Sequence, residues 1–452
     1  MSKVAFSSVL ENRGFKYLWI NQALMQLAVN SLNFALILWV FKLTNSNFAV
    51  SALIAAYYLP ALIFGIFAGV IVDILDRRKV IIIIDLLLGL LILSYALIKD
   101  YYLLILINAF LINSLNQFFM PAESSSIPML VPKNKLFLAN SYFSLTLYGS
   151  FMIGYTMAGP IFNLFGINKL FFICAALLFT AFAISWKLPS LKVLENGKNI
   201  PGNLLSLTIN ETKDTIKFVK GKLSAATVIV ILASIQGVIG ILAVTVSSYM
   251  ERILKIQSSD ASFFLMLPLG LGMVTGALIV GKFLQNVPRR MIIIPAIITG
   301  GVLFFIVGIA PTLARIFNST DLPEYIPHIR YFFNAPSISS TFAIGAYLLG
   351  ICAVSIIIPS QTILQEVTTR QNRGKIFAAL FVLMNAFALI PVVLAGALAD
   401  LFGVTPIYIG LGVIIFAVGI LALKPALFFT ERSLPYSVRE FLGLGHWEKD
   451  VS

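Results

Sequence analysis

The second half of this chain repeats the first inside an almost wholly apolar sequence. Early on it reads Gly69-Val-Ile-Val-Asp73-Ile-Leu-Asp76-Arg77-Arg78-Lys79. Later it reads Gly281-Lys-Phe-Leu-Gln285-Asn-Val-Pro288-Arg289-Arg290, an offset of 212 (281 − 69). A second pair is closer still. Ala158-Gly159-Pro-Ile-Phe-Asn-Leu164-Phe165-Gly166 stands against Ala395-Gly396-Ala-Leu-Ala-Asp-Leu401-Phe402-Gly403, an offset of 237 (396 − 159). Two homologous halves imply a pseudo-symmetric molecule with its working site at the seam.

The solvent follows from composition. The chain is 59% hydrophobic and 11% charged, where a soluble domain carries about 25% charged residues. Apolar runs of ~20 residues, enough to cross ~30 Å of hydrocarbon as helix, recur throughout. They lie near 17–41, 48–72, 79–98, 101–120, 137–162, 168–187, 223–250, 260–284, 289–310, 337–364, 375–401 and 404–424. The expected fold is an all-α membrane protein with twelve transmembrane helices in two pseudo-symmetric six-helix halves. The first half takes 1–187, a lysine-rich cytoplasmic linker 188–222, the second half 223–424, and a cytoplasmic tail 425–452. The offset grows between the matched pairs, which places the surplus in the long outer segment 311–336, since surface connections tolerate insertions. Repeated halves in a membrane are the architecture of secondary transporters. For the tail, two readings stand: a segment lying on the membrane surface, or a disordered end.

A net charge of +13 invites a nucleic-acid reading, but its distribution argues for topology. With the N-terminus inside, the inner segments carry most of the lysines and arginines, the seven lysines of 187–222 among them. The outer loops hold only Lys42, Lys99, Lys169, Arg252, Lys255, Arg315 and Arg330. This bias puts both ends in the cytoplasm and makes the chain a multi-pass protein of the cytoplasmic membrane. The first apolar run is a full span, so no cleavable signal is expected. Cys174 and Cys352 stand singly in different halves and suggest neither disulfide nor metal site. The two histidines, His328 and His446, lie outside the spans. A near match to a phosphate loop, Gly276 to Lys282, continues with Phe283 where a magnesium-binding Ser or Thr is needed, and it lies inside a span. No catalytic constellation converges, so neither an enzyme nor a cofactor is expected.

Gly69-x-x-x-Asp73-x-x-x-Arg77-Arg78-Lys79 resembles the signature loop between helices 2 and 3 of the major facilitator superfamily. In that family the cluster latches the cytoplasmic side closed by docking on helix 11, which would begin here near Lys375. The resemblance makes Gly69, Asp73, Asp76, Arg77 and Arg78, with Gly281, Arg289 and Arg290 of the repeat, a conformational latch. This chain departs from the pattern at Ile74, where an arginine is common, and at Asp76, where glycine is usual. The charge pairing then runs through Arg77 or Arg78. Within the superfamily the chain resembles a bacterial exporter branch that includes macrolide-efflux, enterobactin-export and lysophospholipid-transport proteins. The motifs are Arg13-x-Phe15-x-x-Leu18-Trp19-x-x-Gln22, Phe119-x-Pro121-Ala122 with Pro128-x-Leu130-Val131-Pro132 and Ala139-Asn140-Ser141, and Gln365-x-Val367 with Arg373-Gly374-Lys375. Gly149, Gly154, Gly159 and Pro160 on helix 5 resemble a degenerate glycine-proline motif of drug–proton antiporters. They are equally ordinary packing devices of membrane helices.

Helix 1 carries Asn21, Gln22, Gln26, Asn30 and Asn33, and four of these step along one face by four, four and three. Amides facing lipid cost several kcal/mol each, so that face looks inward. The resemblance makes helices 1, 4, 7 and 10 line the cavity. The cavity candidates are therefore Gln22, Gln26, Asn30, Asn113, Gln236 and Gln361, each of which could instead cross-link helices. No span carries arginine or lysine near its centre, so the cavity reads as neutral, amide-rich and aromatic, suited to a small amphipathic or hydrophobic substrate. Asp85, ~9 Å beyond Lys79 along helix 3, either pairs with Arg77 or Arg78 or carries protons. With protons as the expected coupling ion, Asp85 and Glu123 are the candidates. The expected activity is proton-coupled export by alternating access, from a monomer in the lipid bilayer with no nucleic-acid partner. A lysophospholipid transporter or flippase on the same fold and a solute importer are the alternatives.

Overall fold

Hydrocarbon offers a backbone amide no partner, so a chain this apolar satisfies its main chain internally, as helices. The computed structural model describes residues 9–132, 135–191, 223–284, 287–318, 335–367 and 373–423. Among them every long element is helical and none is a strand. The helices are α1 (Arg13–Thr44), α2 (Asn47–Ile74), α3 (Arg77–Ile98) and α4 (Tyr102–Leu130). A continuous run, Leu136–Ser185, breaks at Gly166 (φ 78°, ψ 166°) into α5 (136–165) and α6 (167–185). Then come α7 (Leu223–Ser248), α8 (Leu267–Phe283), α9 (Arg289–Asn318), α10 (Ala335–Val367), α11 (Arg373–Phe402) and α12 (Val404–Leu423). Eleven described helices are long and apolar enough to cross a membrane. One of them is the double run α5–α6, so the twelve expected spans are all present. The expected linker and tail fall almost wholly outside the described residues.

The described residues form two compact units, the first within 1–212 together with 381–389, the second within 213–380 together with 390–452. In the first, α1 packs most extensively on the α5–α6 run and α2 on α4. In the second, α9 packs on α12 and α8 on α10. Local chemistry sets the ends. Asn12 caps α1 by accepting from Phe15 N at 3.1 Å, Ser46 caps α2 by accepting from Ala49 N at 3.1 Å, and Asp76 caps α3 by accepting from Arg78 N at 3.1 Å. The largest boundary difference is in α4, expected to stop near 120 and running on to Leu130 through Pro121 and Pro128. Membrane helices tolerate such prolines because neighbours re-satisfy the freed carbonyls. Between α7 and α8 the chain adds two π-helical turns, Tyr249–Leu254 and Ser262–Met266.

The sequence repeat reappears contact by contact, at the same offsets. Gly166 and Gly403, 237 apart, are the described glycines with positive φ, at 78° and 83°. They turn α5 into α6 and α11 into α12, a conformation L-residues rarely adopt. Just before them, Leu164 is 76% and Leu401 75% exposed, as lipid-facing side chains would be. Gly89 of α3 lies under the Phe179 ring, where an added Cβ would sit 2.9 Å from Cε1. Gly301 of α9, 212 positions on, lies under Phe416 of α12, itself 237 on from Phe179. Phe171 stacks on Tyr95 at 5.3 Å; its counterpart Tyr408 stacks at 6.2 Å on Phe304, one turn before Val307, the counterpart of Tyr95.

Glycines set the helix crossings of the second unit. A Cβ on Gly276 of α8 would stand 3.0 Å from Ile351 Cα, and Gly272 and Gly350 are closed by the backbone of the facing helix in the same way. On α12, Gly412 meets Phe305 N and Gly301 O, and Gly419 meets Ile298 of α9. Such small-residue crossings let helices associate where no hydrophobic drive exists between them. By contrast, Cβ atoms on Gly69 and Gly281 would meet nothing within 4 Å among the described residues. Gly412→Ala is therefore expected to lower the melting temperature of the purified protein by several degrees, and Gly69→Ala to leave it unchanged; thermal unfolding in detergent measures both.

Candidate functional site

The described hydrogen bonds of the signature-loop arginines end on the first unit's own helices. Arg77 Nη1 donates to Ser125 O on α4 at 3.4 Å and lies against Met129 Sδ. Arg78 Nη2 donates to Trp186 O, beyond the end of α6, at 2.6 Å. Arg290 does the same in the second unit, with Nη2 donating to Ala422 O at 3.1 Å and Leu423 O at 3.0 Å beside the end of α12. Arg78 and Arg290 are repeat partners, and so are Trp186 and Leu423. Each arginine satisfies carbonyls that the end of a helix leaves without partners. Asp76, expected in the latch, is the N-cap of α3. The side chain of Asp73 and those at the start of α11 lie outside the described residues, as does the expected docking between them. Arg289 is half-buried at the first turn of α9.

The amide face of α1 divides between packing and interior. Gln22 is buried, and its Nε2 donates to Phe143 O of α5 at 3.5 Å. It belongs to a seam in which Trp19 Nε1 donates to Thr146 Oγ1 at 2.5 Å and Phe15 meets Tyr142 and Phe143. The described contact of Gln22 is thus a helix cross-link, the second of its two expected readings. Gly154 of α5 abuts the same helix, an added Cβ falling 3.0 Å from Asn30 Cβ and 3.1 Å from Ser31 N. Gly159 is buried, and Pro160 stays inside α5. Gln26 and Asn30 are half-buried, as are Asn113, Gln236 and Gln361. On α4, Asn113 Nδ2 donates back to Ala109 O at 2.9 Å and Gln117 Nε2 to Asn113 O at 3.4 Å. Beside the amides stand rings: Tyr155 lies 5.2 Å from Phe34 and 4.4 Å from Phe151, and Tyr57 OH donates to Asn33 O at 3.3 Å.

The two candidate carboxyls are buried near the arginine-bearing end of the first unit. Asp85 is fully buried, and its Oδ2 accepts from Asn21 Nδ2 at 2.6 Å; the same nitrogen also donates to Ala181 O of α6 at 3.0 Å. The hydrogen-bond partner described for it is the α1 amide, in place of the expected Arg77 or Arg78. Glu123 of α4 is also buried. Asn21 sits off the stepping face of α1, which is why spacing did not single it out. Asn108 was missed as well. Its Nδ2 ties α4 to α3 through Leu91 O at 2.9 Å and Ser94 Oγ at 3.1 Å. The signal was present, an amide in an apolar helix five residues before Asn113.

Among the described residues no group of three His, Cys, Asp or Glu could hold a metal ion, and Cys174 and Cys352 are both buried and free. Membrane-length helices and repeated halves define a polytopic membrane protein. Residues 18–320 match the Major Facilitator Superfamily, and the chain belongs to that family, whose members are transporters and not enzymes. It is 22% identical over 399 residues to the uncharacterized MFS-type transporter YfiS of Bacillus subtilis (strain 168), covering 86% of this chain and 87% of that one. Its fold is similar to the nucleoside transporter NupG (TM-score 0.70, 12% identity, 92% and 100% of the two chains). A POT family transporter in complex with 5-aminolevulinic acid is equally similar (TM-score 0.71, 11% identity, 92% and 97%).

Asn21→Leu removes the donor shared by Asp85 and Ala181 O and leaves buried acceptors without a partner. It is expected to destabilise the protein by about 1–3 kcal/mol, whereas Gln26→Ala, at a half-buried position, stays within about 0.5 kcal/mol. Thermal unfolding of both variants beside the wild type gives the comparison.

Proposed function

We propose that this protein exports a small hydrophobic or amphipathic molecule by alternating access, driven by protons. The observation that carries the reading is the chemistry of the half-buried side chains. Amides (Gln26, Asn30, Asn113) and tyrosines (Tyr57, Tyr155) line the described interior of the first unit, and no described span has arginine or lysine in its central turns. A phosphate or carboxylate substrate calls for such a cation; a neutral or cationic amphipath does not. Gln236 and Gln361 extend the same chemistry to the second unit. Buried Asp85 and Glu123 are the groups that take up the proton. The exporter-branch motifs point the same way, as does the glycine-proline pattern of α5, although Gly154 there also serves packing against α1. The positive-inside bias places both termini in the cytoplasm and the loop of Gly69–Lys79 on that side of the cytoplasmic membrane, where it acts as the latch. The working unit is a monomer.

Transport in proteoliposomes of the purified protein tests this, with an imposed pH gradient and a fluorescent amphipathic cation beside a fluorescent lysophospholipid. Gradient-dependent movement of the dye supports the proposal. Movement of the lipid alone, indifferent to the gradient, makes the protein a lipid transporter, and movement of neither removes the reading. Asp73→Asn and Arg77→Ala are each expected to slow transport about tenfold, the effect of ~1.4 kcal/mol on a rate, with the protein still folded and inserted. Gln26→Ala or Asn113→Ala is expected to shift apparent substrate affinity severalfold while the melting temperature holds. Unchanged affinity in both makes these amides helix cross-links.

A further inference from the structure

Met129, at the end of α4, stands against a fixed positive charge. Arg77 begins α3 and lays its guanidinium along one face of α4. Its Nη1 is 3.4 Å from Ser125 O and lies against Met129 Sδ, one turn further on. A thioether sulfur is a weak acceptor, so at Met129 the arginine meets a poor hydrogen-bond partner. The contact also fixes the depth of the sulfur. A guanidinium keeps to the water boundary of a membrane, and Met129, 42% exposed, stands level with it. Met120 is 43% exposed on the same helix but lies nine residues away, ~13.5 Å along the axis toward the middle of the span.

The repeat does not call for sulfur at this place. Pro121 and Pro359 share an offset of 238, which sets Val367 opposite Met129 in the second half. A second exposed methionine, Met291, lies on the first turn of α9, and none of the described arginine hydrogen bonds reaches it. Oxidation changes what a methionine offers. It converts the apolar thioether into a polar sulfoxide, whose oxygen is a strong acceptor. A guanidinium donating to that oxygen makes a charge-assisted hydrogen bond, roughly twice as strong as a neutral one. At Met129 such an oxygen has its donor already in place; at Met291 it does not.

We propose that Met129 is a site of reversible oxidation, and that its sulfoxide fastens Arg77, and with it the start of α3, to the end of α4. The oxidant is a hydroperoxide. The sulfur lone pair attacks the terminal peroxide oxygen, and the S–O bond forms as the O–O bond breaks. The proton of the transferred hydroxyl passes to the departing oxygen, which leaves as water or an alcohol. Sulfur is oxidised by two electrons and the peroxide reduced. A methionine sulfoxide reductase, with a dithiol as electron donor, restores the thioether. The modification rests on the Arg77–Met129 contact; only its effect on transport rests on the latch role proposed above for Arg77.

The test treats full-length protein in proteoliposomes with dilute hydrogen peroxide and locates the added oxygen by fragmentation mass spectrometry. Met129 is expected to gain one oxygen well ahead of Met120, and to lose it to methionine sulfoxide reductases with dithiothreitol. An unmodified Met129 beside an oxidised Met291 overturns the proposal. The tie to Arg77 is read from melting temperatures in detergent. Arg77→Ala is expected to lower the melting temperature by about 2–4 °C more in the oxidised protein than in the reduced one. Met129→Leu abolishes that difference and Met291→Leu keeps it. Equal drops in both forms overturn the proposal even where Met129 is oxidised. Transport is measured on the same proteoliposomes. Slowing by peroxide in the wild type, absent from Met129→Leu, supports both this site and the latch. Unchanged transport with the stability difference present leaves the site standing and removes Arg77 from the latch.

Discussion

In hydrocarbon, helices gain nothing by hiding apolar side chains from one another, so what brings them together is close backbone contact. The second unit uses this at many crossings, beside the buried hydrogen bonds of Thr245 with Tyr408 and of Tyr249 with Val307 O. Gly272, Gly276 and Gly350 join α8 to α10, and Gly301, Gly308, Gly412 and Gly419 join α9 to α12, each with a neighbour's backbone or Cβ where its own Cβ would be. The first unit uses the device more sparingly, at Gly89 under Phe179 and Gly154 against α1. There, side-chain hydrogen bonds between helices contribute more: Trp19 to Thr146, Gln22 to Phe143 O and Asn108 to Leu91 O. The two repeats share a path for the chain while differing in the chemistry that holds it.

Where the units agree most closely is at the helix ends. Arg78 and Arg290 each begin a helix and reach across to the last carbonyls of another, α6 and α12. A guanidinium there answers both the unpaired oxygens and the negative end of the helix dipole. Read from sequence, these arginines belonged to a latch acting between halves. Their described contacts show that they first fasten each bundle to itself.

The sequence carried the fold in good measure, and for a physical reason. Spans are set by length and hydropathy, both of which survive without any knowledge of neighbours. The offsets of 212 and 237, read from two short motifs, locate counterpart contacts at Gly89 and Gly301, Phe171 and Tyr408, and Gly166 and Gly403. The extension of α4 past Pro121 was not legible, since a proline ends a helix in water and is tolerated in a membrane bundle. The site was legible in residue type more than in role. An amide stripe on α1 was visible, but Gln22 turned out to face α5, and Asn21, off the stripe, turned out to hold Asp85. Helical spacing tells which residues share a face; which helix that face meets depends on crossings that spacing does not contain.

The glycines that end α5 and α11 show how that limit works in reverse. Gly166 is exposed, an added Cβ there meets nothing within 4 Å, and yet its φ of 78° suits few side chains. Its neighbour Leu164 is 76% exposed with ordinary helical backbone. Judged by surface alone, both positions look permissive. In a saturation scan the leucine would accept most apolar residues, while the glycine would accept almost none. Intolerance at the lipid-facing turn would thus mark the direction of the chain and not the presence of a partner, and a map of mutational sensitivity read as an interface there would be misread.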